Sequence, residues 1–376
     1  MRIQLATTKL VLSVLLLGGC AAYDNQSTQN TTFKSAFADD FLIGTAVSER
    51  QVMTNEKTRA FVAEQFSALT AENSMKWESL QPQEGEFNWR VADELVAFSE
   101  AHGIHVTGHT LLWHQQVPEW VFEGADGEPA SRSLLLNRLR QHIHSVIGRY
   151  KGRIPSWDVV NEALNEDGSM RESQWYKLIG PDYLVHAFKF AHEADPEAKL
   201  YYNDYNLFKP EKRNGAVKLV RDIQQAGAPV HGIGLQAHYG VGYPEDLTQI
   251  EDSIIAFGEL GEVLITELDV SVLPFPDEEQ QGADISLNMA LSDQLNPYVD
   301  GVPEQDLKKF NDHYVSLFKI FLDHKDKISR VTFWGVDDAQ SWRNNWPMSG
   351  RTDYPLLVDR KQVLKPVTET IFSLAQ

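Results

Sequence analysis

Eight apolar stretches of strand length, separated by segments of helical periodicity, predict an α/β fold for this chain of 376 residues: a (β/α)8 TIM barrel forming a single catalytic domain. A second observation agrees. Two of these stretches, ending at Glu162 and running through Glu267, begin apolar and turn acidic, as expected where the C-terminal ends of parallel strands carry reacting groups into one cleft. The length also suffices to bury one large core without disulfides or a metal, and the chain contains a single cysteine.

In chain order, strands are expected at 41–47, 66–72, 105–113, 156–162, 199–206, 232–238, 262–270 and 330–336, each a short apolar run bounded by polar or turn-forming residues. Between them, Leu139, Ile143, Val146, Ile147 and Tyr150 recur at helical spacing and form one face. Leu307, Phe310, Tyr314, Leu317, Phe318 and Phe321 form another, and both stripes read as core. Asn88 is placed to cap the helix that ends near Gly103. The stretch 274–304 contains Pro274, Pro276, Pro297 and Pro303 and does not read as one regular element. It follows the strand of Glu267, so it is expected on the same face of the barrel, as a wall of the substrate groove.

The N-terminal residues read differently. Arg2 and Lys9 precede an apolar run from Leu10 to Leu17 that is too short for a permanent membrane span and suits a secretory signal. Leu17-Gly-Gly-Cys20 resembles the lipobox of bacterial lipoproteins, against the alternative of an odd free thiol in a secreted chain. That resemblance implies a signal peptide over 1–19, acylation of Cys20 and export with anchoring to a membrane through lipid. The absence of Asp after Cys20 further resembles lipoproteins of the outer membrane of Gram-negative bacteria. Residues 20–36, rich in Asn, Gln, Ser and Thr, are expected to be a flexible tether, leaving 37–376 as the catalytic domain.

Charge restricts the partners. With 34 basic and 53 acidic side chains the formal charge is −19, which repels a phosphate backbone over most of the surface, so nucleic acid is not expected as a partner. A neutral polymer is compatible with that charge.

The ends of the strands carry Glu72, Asn73, Lys76, Trp77, His109, Trp113, Gln116, Asn161, Glu162, Asn203, Asp204, Tyr205, Asn206, Gln236, His238, Glu267, Asp269 and Trp334. Indole faces stack on sugar rings, and amides, ammonium and imidazole groups exchange hydrogen bonds with hydroxyls, so this set points to a carbohydrate cleft. Two carboxylates across such a cleft suit glycoside hydrolysis, in which one protonates the leaving oxygen and the other attacks the anomeric carbon or activates water.

Four motifs in order, Ala71-Glu-Asn-Ser-Met-Lys-Trp77, Gly108-His-Thr-Leu-Leu-Trp-His114, Trp157-Asp-Val-Val-Asn-Glu-Ala163 and Thr266-Glu-Leu-Asp269, resemble glycoside hydrolase family 10. Thr332-Phe-Trp-Gly-Val336 and Ser341-Trp-Arg343 extend the similarity through the last strand. The resemblance implies a retaining endo-β-1,4-xylanase acting on xylan and xylo-oligosaccharides by double displacement. It assigns Glu162 as general acid/base and Glu267 as nucleophile. Asn161 would bind the sugar 2-hydroxyl, and His238 with Asp269 would orient Glu267 and keep it ionised. Glu72, Asn73, Lys76, His109, Trp113, Gln116, Gln236, Trp334 and Trp342 match glycone-binding positions, and Tyr205 joins the substrate-binding set. No cofactor and no metal is implied: His142 and His144 are two apart on a helix and cannot face each other, and Asn165-Glu-Asp-Gly168 lacks the ligand spacing of a Ca²⁺ loop. The catalytic domain is expected to be monomeric. Two alternatives stay open at this point. One is a β-1,4-glucanase or mixed xylanase/glucanase, the other a non-catalytic glycan-binding surface lipoprotein. Trp77 and His114 read as packing and loop support, while Trp346 is undecided.

Overall fold

The computed structural model describes residues 31–125, 127–274 and 294–375. The expected signal peptide 1–19, Cys20, most of the proposed tether and the greater part of the 274–304 loop lie outside the described residues.

Eight parallel strands close into a barrel. β1 (Leu42–Val47), β2 (Ala68–Ala71), β3 (His105–Leu112), β4 (Ser156–Asn161), β5 (Lys199–Asp204) and β6 (Gly232–Leu235) pair in sequence order. β6 continues onto a later strand, Glu262–Ser271, which pairs with Ile328–Phe333, and that last strand returns to β1 in the register Leu42↔Arg330 to Thr45↔Phe333. A short segment, β7 (His238–Gly240), pairs among the described strands only with Glu262–Ser271, which is therefore β8, with β9 the closing strand.

Sequence periodicity predicts one strand over 232–238, whereas the structure breaks it at Gln236 and Ala237. Ala237 has φ +61, a left-handed conformation that interrupts the pleat, so pairing with β5 stops at Leu235 and resumes with β8 alone at His238.

Strand interiors are buried on both faces, as expected for parallel strands covered by helices. Close packing explains two glycines. A Cβ on Gly108 would lie 2.0 Å from the Trp157 ring, and one on Gly234 would lie 2.5 Å from Asn203 Oδ1. Without a side chain at 234, Asn203 and Thr266 can meet beneath the rim.

The helix Arg132–Tyr150 buries Leu139, Ile143, Val146, Ile147 and Tyr150 completely, and Ser131 caps it by accepting from the Leu134 amide. The helix Glu304–Asp323 buries Phe310, Tyr314, Leu317, Phe318 and Phe321, but Leu307 is 39% exposed because the core contact of this helix begins one turn later. The helix Arg90–His102 ends as expected at Gly103 in the left-handed conformation, yet its N-cap is Trp89 rather than Asn88.

The start of the folded domain also moves. Residues through 36 were expected in the tether, but Thr32 and Ser35 form a reciprocal capping box for the helix Phe33–Ala36. Phe33 is fully buried, with its ring centroid 5.5 Å from Phe66, 5.4 Å from Phe333 and 5.1 Å from Phe372. One large aromatic side chain outweighs the polar composition around it, since its burial contributes about 2–3 kcal/mol. The compact catalytic unit therefore includes the residues from Thr32 onward.

Candidate active site

Among the described residues, five non-glycine residues have positive φ, and four of them follow barrel strands at the C-terminal rim: Gln116, Glu162, Asn206 and Ala237. Such conformations cost on the order of 1–3 kcal/mol each and persist where surrounding contacts over-determine them. Their concentration at one end of the barrel locates the site before any side chain is considered.

Glu267, on β8, is buried. Its Oε1 accepts from Asn203 Nδ2 at 2.8 Å, and its Oε2 lies 3.1 Å from His238 Nε2. Burial alone would raise its pKa. The His238 hydrogen bond, with the charges of His109, His238 and Lys76, outweighs burial and holds the carboxyl below its ordinary value, so it is a carboxylate near neutral pH. His238 in turn has Nδ1 at 3.1 Å from Asp269 Oδ2. Burial pushes the imidazole toward neutrality, but Asp269 and Glu267 overcome this and raise its pKa to about 9. Asp269 is held at about 2: burial opposes ionisation, yet Arg343 and His238 prevail. Arg343 reaches Asp269 Oδ1 through Nε at 3.1 Å and Nη2 at 2.8 Å, while Trp342 Nε1 donates to Oδ2 at 2.7 Å.

Glu162, just past β4, is half-buried and has the opposite character. Its Oε2 accepts from Trp113 Nε1 at 2.9 Å and its Oε1 from Gln236 Nε2 at 3.0 Å. Burial raises its pKa, as do the charges of Asp204 and Glu267, and together they exceed the pull of the two hydrogen bonds. Asp204 is itself fully buried. Burial pushes its pKa up against Lys212, whose Nζ lies 3.0 Å from Oδ1.

A relay of amides joins the two glutamates. Gln236 Nε2 reaches both Glu162 Oε1 and, at 3.2 Å, Asn161 Oδ1; the same Oδ1 accepts from Asn203 Nδ2 at 2.9 Å, and Asn203 Nδ2 also donates to Glu267. Asn203 is fixed from below by Thr266 Oγ1, which donates to its Oδ1 at 2.6 Å. With Asn161 Oδ1 occupied twice, its Nδ2 is turned toward Glu162 Oε1, at 3.4 Å.

The other expected residues gather around this centre. Lys76 is buried, with Nζ at 2.9 Å from both Asn73 Oδ1 and Gln116 Oε1 and 4.9 Å from the Trp113 ring centroid. Burial lowers the Lys76 pKa and raises that of Glu72. His109 Nδ1 pairs with Asp158 Oδ2 at 2.9 Å, and its ring lies edge-on to Trp334, which also approaches His238. Trp342 lies against His238 with ring centroids 4.9 Å apart. Tyr205 stands beside Glu162's loop, its ring 3.4 Å from Lys212 Nζ. Trp77 is buried and stacked on His142, so it is packing. Trp346 packs against Trp342 at 5.5 Å.

Three residues with functional positions were not assigned roles from sequence. Asn203 stood among the strand-end polar residues, but nothing in the sequence indicated that it bridges Asn161 and Glu267. Arg343 was visible only as the residue after Trp342. Arg171, whose Nε donates to Glu162 O at 3.1 Å, carried no signal, because it is an exposed-type residue in a polar turn.

A (β/α)8 barrel that gathers at its C-terminal rim two glutamates, one with its pKa raised and one with it lowered, amid amides and indoles, is an enzyme of the paired-carboxylate hydrolase class. The family model of glycosyl hydrolase family 10 matches residues 32–374, and the chain belongs to that family. It is 45% identical over 369 residues to endo-1,4-β-xylanase A of Xylanibacter ruminicola, covering 98% of each chain. Against endo-1,4-β-xylanase B of Paenibacillus barcinonensis it is 42% identical over 336 residues, covering 89% of this chain and 95% of the relative. A solved endoxylanase of the same family from a sugarcane soil metagenome superposes with a TM-score of 0.85 at 41% identity, covering 92% of this chain and all of the other.

Proposed function

We infer that this protein is an endo-1,4-β-xylanase that hydrolyses internal xylosidic bonds of xylan and xylo-oligosaccharides with retention of configuration, the general property of its family. The observation that carries this reading is the pair of glutamates with opposite proton affinities joined by one amide relay. In the first step the Glu267 carboxylate attacks the anomeric carbon while Glu162 delivers its proton to the departing glycosidic oxygen. In the second, Glu162, now a carboxylate, takes a proton from water as that water displaces Glu267, which restores both groups. Asn161 Nδ2, oriented by its doubly occupied carbonyl, serves the 2-hydroxyl of the sugar between the carboxylates. The surrounding Glu72, Asn73, Lys76, His109, Gln116, Trp334 and Trp342 hold the glycone, and Tyr205 borders the other side of Glu162.

Xylan rather than a glucan is the substrate because Trp342 is a rigid wall: its Nε1 is tied to Asp269 and its ring rests against His238, leaving it little freedom to yield to a hydroxymethyl group. The test is release of reducing ends with a fall in viscosity on xylan and on carboxymethylcellulose. Rapid loss of xylan viscosity with at least tenfold slower action on the cellulose derivative is expected. Equal rates would favour the mixed glucanase, and no reducing ends on either would leave a glycan-binding protein.

The charge of His238 keeps Glu267 ready to attack. His238→Asn retains a hydrogen-bond donor but removes that charge, so the Glu267 pKa should rise and the acid limb of kcat/KM should move to higher pH. An unmoved acid limb would show that His238 only orients the carboxylate. The same ion pairs affect stability. Asp269, depressed from 3.8 to about 2, contributes above pH 3.8 and loses that contribution as pH falls through about 2; His238, raised from 6.5 to about 9, contributes below 6.5 and loses it as pH rises through about 9.

We also propose that acylated Cys20 anchors the protein in the outer membrane, which the lipobox supports, and that the catalytic domain acts as a monomer on its tether. Radiolabelled palmitate should enter the wild-type protein and be absent from Cys20→Ala, which should leave the membrane fraction and sediment as a single copy.

A further inference from the structure

The assigned chemistry needs the Glu162 carboxyl at a fixed point, yet Glu162 has φ +56 and lies where β4 gives way to a loop. Its amide donates to Asn203 O at 2.9 Å, which secures one side of the residue. The other side is secured from nine residues downstream. Leu164 and Met170 form an isolated bridge, and Asn165 and Ser169 close a turn through the Ser169 carbonyl at 2.9 Å, so the chain doubles back and sets Arg171 beside Ala163. The Arg171 amide then donates to Ala163 O at 2.8 Å. Its guanidinium does the rest: Nε donates to Glu162 O at 3.1 Å, and Nη2 donates to Leu164 O at 3.1 Å and to Tyr205 Oη at 3.2 Å.

The tip of this excursion is also pinned. Gly168 and Gly215 meet so closely that a Cβ on Gly215 would lie 2.4 Å from Gly168 O, and Glu166 pairs with Lys209 and Lys212 on the helix Pro210–Gln225 and at its N-cap. Arg171 is thus delivered by a turn that is itself anchored to the barrel.

We propose that Arg171 is a positioning residue for proton transfer: by holding the Glu162 and Leu164 carbonyls in one planar fork it fixes the left-handed turn that aims the Glu162 carboxyl at the glycosidic oxygen. The inference rests on Glu162 being the acid/base and adds a residue that acts through it. A guanidinium suits this task because its donors are rigidly spaced and it cannot lose its proton. Lysine at the same place reaches one carbonyl at most.

The test compares kcat/KM for xylo-oligosaccharides, whose departure needs a proton, with kcat/KM for a dinitrophenyl xylobioside, whose departure does not. Arg171→Met should lower the first by about a hundredfold, the scale of misplacing a catalytic group by an ångström, and leave the second within about threefold. Arg171→Lys should fall between Met and wild type on the first substrate and serves as the informative variant should the Met protein fail to fold. Equal losses on both substrates, or no loss on either, would overturn the proposal. Glu162→Ala run alongside separates the two readings: if it discriminates between the substrates and the Arg171 variants do not, the positioning role alone fails. If Glu162→Ala does not discriminate, the acid/base assignment fails first.

Discussion

Glu267→Ala should reduce hydrolysis of xylan by about six orders of magnitude, the scale seen when the nucleophile of a cooperative catalytic unit is removed. The structure shows why no neighbour can replace it. Asp269, the nearest other carboxylate along β8, is committed to Arg343, Trp342 and His238, and Asp204 is buried against Lys212. The residue is also prepared as an ion: His238 and Lys76 favour its deprotonated form, so the deletion removes a carboxylate and leaves its cationic surroundings uncompensated. Azide supplied to this variant with an activated substrate should enter the space vacated by the carboxylate. Because the attack is then a single displacement, the product should be the α-glycosyl azide, with configuration opposite to the β-linkage broken. Substantial residual xylan hydrolysis, or a β-azide, would remove Glu267 from the role of nucleophile.

How much of this arrangement the sequence revealed depends on the range of the interaction concerned. Glu162 and Glu267 were legible because each sits at the polar limit of an apolar run, a one-dimensional pattern that survives without knowledge of neighbours. The barrel was legible for the same reason, since eight such runs alternate with helical stripes. What the runs do not encode is which amide turns toward which carboxylate. The contacts among Asn161, Asn203, Gln236 and Glu267 cross four strands and exist only after closure brings β8 against β6. Trp113 illustrates the difference: its residue type suggested a sugar platform, and only the fold shows that its indole N–H donates to Glu162. At the boundaries, local composition misled where a single large side chain decides, as with Phe33, or where a helix outruns the surface it packs on, as with Leu307. The break at Ala237 is backbone geometry that alanine does not advertise.

Glu162→Ala should lower kcat/KM for xylan by about 10² to 10⁴, the usual contribution of a positioned general acid, but leave kcat/KM for a dinitrophenyl xylobioside nearly unchanged. The split follows from the leaving groups. A sugar hydroxylate is a poor one and must be protonated as it departs, whereas a dinitrophenolate leaves as an anion, so only the first step on xylan needs a proton from Glu162, whose pKa is raised by burial, Asp204 and Glu267. Both substrates share the second step, in which water must be activated, and there the variant is slow with either. The glycosyl-enzyme should then accumulate, and kcat and KM for the activated substrate should fall together. Azide, which needs no base, should restore kcat and yield the β-azide, the anomer opposite to that from Glu267→Ala. In wild type the alkaline limb of kcat/KM on xylan reports loss of the Glu162 proton. That limb should lie above the ordinary value of a glutamate, because the Glu162 pKa is raised, and it should be absent for the dinitrophenyl substrate. An alkaline limb common to both substrates would assign the titrating acid elsewhere.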